Sequence, residues 1–197
     1  MLMAALGFRA HSGWGIAVAI SGSKRTPEVL ARSRIEMVEG GSPGGKQPYH
    51  RAAELKFDAA ERLISSATIS ANKMAATAVR NLVAQLSEQG VRATAAGVLA
   101  GSGRPVANLQ TVLASHPAIH TAEGELFRTA LLHACAECGV PANRLREKDL
   151  MQTAVSNLKL NEQQIRTRLA QMGQKIGRPW TQDEKLAALS AWLMLPS

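Results

Sequence analysis

Met3-Ala-Ala-Leu-Gly-Phe-Arg9, then His11-Ser12-Gly13, then Trp14-Gly-Ile-Ala-Val-Ala-Ile20, is the stretch on which the fold turns. Two short apolar runs flank a turn signal, the pattern of two buried strands joined tightly. A second turn cluster, Ser21 to Pro27, leads into Glu28 to Glu39, where Val29, Ala31, Ser33, Ile35 and Met37 share one parity and Arg32, Arg34 and Glu36 the other. Period two predicts a strand with one wet face. Three strands joined by short turns make an antiparallel meander.

Downstream of the glycine-rich loop 40–46, the spacing predicts a long helix from about Tyr49 to Gln89, with a bend near Ser65 to Ser70 and Gly90 as its stop. Val91 to Ala100 is an ungapped apolar run, as expected of a parallel strand buried on both faces. A helix from Pro117 to Cys138 and a short strand from Val140 to Arg146 follow, then helices over 148–158, 161–176 and 181–194. Thr181 and Glu184 have capping-box spacing at the start of the last. The expected architecture is α/β. It is a mixed five-stranded sheet, with a three-strand antiparallel meander plus two parallel strands, flanked by helices in a single domain over 1–197. The right-handed crossover rule sets strands four and five parallel to strand one.

Composition narrows the function classes. Of 197 residues, 46% are hydrophobic and only 4% aromatic, so small aliphatic side chains must fill the core. There are 23 Lys and Arg against 15 Asp and Glu, a formal +8 that favours an anionic partner, nucleic acid first. No window nears the ~18 apolar residues that span a bilayer, so no membrane partner and a cytoplasmic location are expected. Cys135 and Cys138, with His133, lack the second ligand pair of a closed zinc site, and read as buried helical thiols. The amphipathic helices over 161–194 offer an apolar face to a homodimer.

Gly7-Phe8-Arg9 followed by Gly13-Trp14-Gly15-Ile16, the run Val91 to Ala100, and Asp183-Glu184-Lys185-Leu186-Ala187-Ala188-Leu189 together resemble the ribonuclease H-like superfamily, in particular its bacterial Holliday-junction resolvase branch. The resemblance implies a ribonuclease H-like fold. Active members hold magnesium with an Asp on the first strand, a Glu at the end of the fourth and an Asp near the last helix. At those positions this chain has Arg9, Leu99-Ala100-Gly101, and Asp183 with Glu184. A two-metal mechanism needs several hard oxygen ligands, so the departures predict a module that binds nucleic acid or regulates without cutting.

Two alternatives stand beside that reading: a hydrolase or nuclease with an atypical His/Glu site, and a structural homo-oligomer. For the first, His116 and His120 are four residues apart, with Glu123 three further on. On one helix face they could hold a divalent metal or act as a general acid–base pair. His11, at the end of strand one, faces the same crevice in this topology, so His11, His116, His120 and Glu123 are the catalytic candidates. His116, His120 and Glu123 are the metal candidates. Lys24 and Arg25 on the hairpin tip, and Arg104 after Gly101-Ser102-Gly103, are the nucleic-acid candidates. Arg32 and Arg34, on the outward face of the third strand, serve either phosphate contact or protection of a sheet edge.

Overall fold

In the computed structural model, residues 1–42, 44–103 and 108–196 are described. The strands are β1 (Leu2–His11), β2 (Trp14–Gly22), β3 (Pro27–Glu36), β4 (Val91–Ala100) and β5 (Ala142–Arg146). They form one five-stranded sheet in the order β3-β2-β1-β4-β5. The β1–β2 and β2–β3 pairs are antiparallel, whereas β4 runs parallel to both β1 and β5. The meander and both crossovers therefore stand as the sequence predicts. The helices are α1 (Pro48–Ala52), α2 (Phe57–Glu88), α3 (Leu109–Leu113), α4 (His116–Glu137), α5 (Leu150–Leu158), α6 (Glu162–Ile176) and α7 (Gln182–Leu193).

Helices cover both faces of the sheet. Leu6, Phe8, Ala17 and Ala19 face α2 and α4, among Val79, Leu86, Phe127 and Leu131. Ala5, Val18, Ile20 and Leu99 face α5, α6 and α7, among Ile165, Leu169 and Trp192. The apolar face of the α6–α7 pair, read from sequence as a dimer surface, is thus buried within the chain. Among the described residues no helix is long and apolar enough to cross a membrane.

Two local expectations change. The alternation in β3 does not hold end to end: Ala31 pairs with Ala19 but Val29 pairs with Ile20, so Leu30 is an extra residue. This bulge inverts the parity, and Val29 packs on the opposite face from Ala31 and Ile35. The helix expected over 49–89 is interrupted at residues 53–56, where Lys56 is extended (ψ 148°). Across Ser65 to Ser70, where the sequence predicts a bend, α2 runs on as one helix, and Thr68 Oγ1 donates back to the Ile64 carbonyl at 2.8 Å, a contact of the kind that curves a helix.

The last helix lies close against the strands because glycine lines its path. A Cβ on Gly7 would sit 1.9 Å from the Ala187 carbonyl, and one on Gly97 would sit 2.9 Å from the Ser190 carbonyl. Ser190 Oγ donates to the Gly97 and Ala187 carbonyls at 3.2 and 2.8 Å, which satisfies its hydroxyl in an otherwise apolar seam. The Thr181–Glu184 capping box is formed. This seating carries the first turn of α7 over the end of β1.

Candidate functional site

The carboxyl ends of β1, β4 and β5 lie at one edge of the sheet, where ligands bind in open α/β folds. The starts of α4 and α7 arrive there, with α1. Between them is a cavity of about 330 Å³ whose lining includes Arg9, His11, His50, His120, Glu123 and Glu147.

One side of this cavity is an ion network. Gly7, Arg9 and His11 alternate along β1 toward α7, the last two reaching Asp183 in its first turn. The Arg9 guanidinium pairs with Asp183 Oδ1 and, in bidentate fashion, with Glu147 at 3.0 and 3.3 Å. Glu147 follows β5 directly, which sets it beside the end of β1. His11 Nε2 lies 3.1 Å from Asp183 Oδ2, off the hydrogen-bond line, so this buried nitrogen has no aligned partner among the described residues. Burial, and then the positive charge of Arg9, hold the His11 pKa below its ordinary value, against an opposing pull from Glu147. The imidazole stacks on Trp14 at 4.2 Å, and Arg34 lies over the Trp14 ring at 3.8 Å.

The other side is a histidine cluster. His116 Nε2 and His120 Nε2 are 2.9 Å apart, as one helical turn allows. His50, from α1, completes a group whose ligand atoms all lie within 4.8 Å of one another. The rings meet edge to face, with centroids 4.4 to 5.6 Å apart. Glu123 does not join this group as the sequence proposed. Its carboxylate is buried beneath α1, where Oε1 accepts from the Tyr49 and His50 amides at 2.7 and 3.1 Å and lies 3.3 Å from His50 Nδ1. Its second oxygen is buried and has no hydrogen-bond partner among the described residues. Burial raises the Glu123 pKa, while the hydrogen bonds from His50 and Tyr49 work against that rise. Nor does Glu123 pair with Arg128, which instead lies 3.7 Å from Glu125.

The four catalytic candidates are therefore divided. His11, His120 and Glu123 line one cavity, His116 stands behind it against His50 and His120, and His11 belongs to the arginine network. The sequence reading missed His50, Glu147 and the Arg9–Asp183 pair. The one local signal for His50 was Pro48, which marks a helix start two residues earlier.

No protein-family model and no curated protein sequence matches the chain. Solved structures do. Thermus thermophilus RuvC is 12% identical with a TM-score of 0.51, over 98% of this chain and 92% of that one. T. thermophilus RuvC in complex with a Holliday junction substrate is 11% identical with a TM-score of 0.54, over 97% and 92%. The fold is ribonuclease H-like. At such identity the likeness speaks for the architecture alone.

The magnesium that the family resemblance implies does not fit this ribonuclease H-like edge. The first-strand position is Arg9, whose guanidinium already lies on both nearby carboxylates. The fourth strand ends in Leu99-Ala100-Gly101, which offers no side-chain oxygen. A hard divalent ion wants several oxygens free of competing cations, and here a fixed positive charge stands among them.

Two of the nucleic-acid candidates, Lys24 and Arg25, lie elsewhere. Because β2 runs antiparallel to β1, the hairpin tip with Lys24 and Arg25 is at the opposite end of the sheet from His11. There the Lys24 carbonyl accepts from Trp192 Nε1 at 2.9 Å, and the Arg25 carbonyl accepts from Arg168. Arg25, Arg168 and Lys175 line a groove of about 650 Å³. Arg104 falls outside the described residues. Arg32 and Arg34 are engaged: Arg32 donates to the carbonyls of Gly177, Arg178 and Pro179, and Arg34 pairs with Glu36 while covering Trp14. Among the described residues the cysteines join no metal-ligating group; Cys135 is wholly buried, with its thiol pushed up to about 12 by burial, and His133 pairs with Glu137.

Proposed function

We propose that this chain is a ribonuclease H-like module that binds nucleic acid through its basic surface without cutting it by magnesium chemistry. The observation that carries the reading is the Arg9 guanidinium held on Asp183 and Glu147. An arginine in that place supplies the charge that a cation would otherwise supply to the acids. It cannot ionise a water or exchange ligands during a displacement, which is what a two-metal reaction demands. The formal +8 supports an anionic partner, and the groove of Arg25, Arg168 and Lys175 concentrates cations at one end of the sheet. A fold shared with a protein seen on a Holliday junction substrate favours DNA as that partner.

The test is binding of four-way junction, duplex and single-stranded DNA across a salt series, alongside incubation of the same substrates in magnesium and manganese. The expected result is affinity that falls steeply with salt, by about 0.9 in log–log slope per phosphate contact, with intact DNA throughout. Magnesium-dependent cleavage that is lost in Asp183→Asn would overturn the reading. So would an absence of salt-dependent binding to all three substrates.

A further inference from the structure

We infer that His50, His116 and His120 bind one zinc-class divalent cation, with Glu123 as the residue that positions His50. The inference is independent of the nucleic-acid reading, because none of these residues belongs to the arginine network.

The donor chemistry selects the ion. Three imidazole nitrogens suit zinc, cobalt, nickel or copper, whereas magnesium and calcium want oxygen. The spacing suits one ion. Two nitrogens sharing a tetrahedral zinc at ~2.0–2.1 Å lie roughly 3.3–3.4 Å apart, and His116 Nε2 and His120 Nε2 are at 2.9 Å, so a small ring rotation admits it. The third ligand atom lies within 4.8 Å of the other two, a gap that an ion must draw closed.

Glu123 is the second, independent observation. A metal-binding imidazole typically gives its other ring nitrogen to a carboxylate, which fixes the tautomer. His50 Nδ1 lies 3.3 Å from Glu123 Oε1. A proton on Nδ1 leaves the Nε2 lone pair free for a metal. The same oxygen accepts the Tyr49 and His50 amides. One buried carboxylate on α4 therefore places the whole of α1 and orients the histidine that α1 carries. It satisfies first-turn amides of a five-residue helix that is cut off from α2 without a glycine or a proline between them. Three protein ligands leave a fourth position for water or an anion from the cavity, which His50 and His120 line together with Arg128.

The experiment uses the full chain, stripped with a chelator and titrated with Zn²⁺ by calorimetry and with Co²⁺ by visible absorption. One ion per chain is expected, with the intense cobalt bands of four-coordination and no competition from excess magnesium. His120→Ala and His116→Asn should each weaken binding by about 100-fold, and Glu123→Gln by about 10–100-fold. His133→Ala, on the same helix but outside the cluster, should leave affinity unchanged. His116 and His120 are exposed, so their variants keep the core, and matching thermal unfolding of the metal-free proteins checks this. Absence of stoichiometric zinc binding would overturn the inference. Binding that survives both His116→Asn and His120→Ala, or that fails in His133→Ala, would place the metal elsewhere and overturn it equally.

Discussion

At the end of β1, Arg9 brings a permanent cation to two carboxylates; on the other side of the cavity, His50, His116 and His120 bring three ring nitrogens together. The first region has oxygen donors whose negative charge is already met from within the chain. The second has nitrogen donors, contributed by three imidazole rings packed edge to face. One sheet edge thus holds a charge-satisfied site beside a nitrogen-rich one. Inherited architecture says where chemistry can occur, but the charge balance of the side chains decides which chemistry it is.

The comparison can be broken most severely through the helix that delivers Asp183. Gly7→Ala puts a Cβ 1.9 Å from the Ala187 carbonyl, so α7 must lift from the sheet. A loss of about 3 kcal/mol is expected from overpacking of this kind, read by denaturant unfolding. An unchanged midpoint would show that α7 does not seat as described. Next comes Arg9 itself. Arg9→Ala removes charged hydrogen bonds from two partly exposed carboxylates and should cost about 1–2 kcal/mol. Arg9→Asp should instead collect three carboxylates, so that magnesium raises the Tm of that variant and leaves the wild type unmoved. Equal magnesium responses would mean that Arg9 is not what excludes the ion.

A smaller effect sharpens where DNA would lie. Lys24→Ala combined with Arg25→Ala should lower the log–log salt slope of DNA binding by about 1–2 if the hairpin tip touches phosphate. An unchanged slope would move the contact surface toward the cavity end.

The smallest effect concerns the cap of α7. Burial pushes the Glu184 carboxyl up, but hydrogen bonds from the Thr181 hydroxyl and amide, with Arg32 nearby, bring it net below its ordinary value. A carboxylate lowered in the folded state stabilises above its unfolded pKa, and that stability is lost as pH falls through the folded value. Below about pH 4 the wild type should therefore lose about 1 kcal/mol that Glu184→Gln has already lost at neutral pH. Parallel stability–pH curves for the two proteins would count against a capping role.

Much of the architecture was legible because period and turn chemistry are local. The apolar runs on either side of His11-Ser12-Gly13, the ungapped Val91 to Ala100 and the Thr181–Glu184 spacing each report a backbone state from a few neighbours. Features that depend on a distant partner were not legible. The bulge at Leu30 shows only against β2, and the hold on the start of α1 depends on a carboxylate on α4 that captures the amides of Tyr49 and His50. The His116–His120 pair could be seen because four residues make one helical turn. His50 could not, lying 66 residues before His116 in the numbering.

The sequence by itself determined the order of strands and helices, the excess of positive charge and the lack of an acid at the first-strand position, since each is a property of residues near one another in the chain. Only the tertiary structure decided that Arg9 meets Asp183 and Glu147, and that Glu123 turns from His116 and His120 to hold His50. Those pairings span 174, 138 and 73 residues. Contacts at such range arise from how the crossovers fold back on the sheet, which no local pattern encodes.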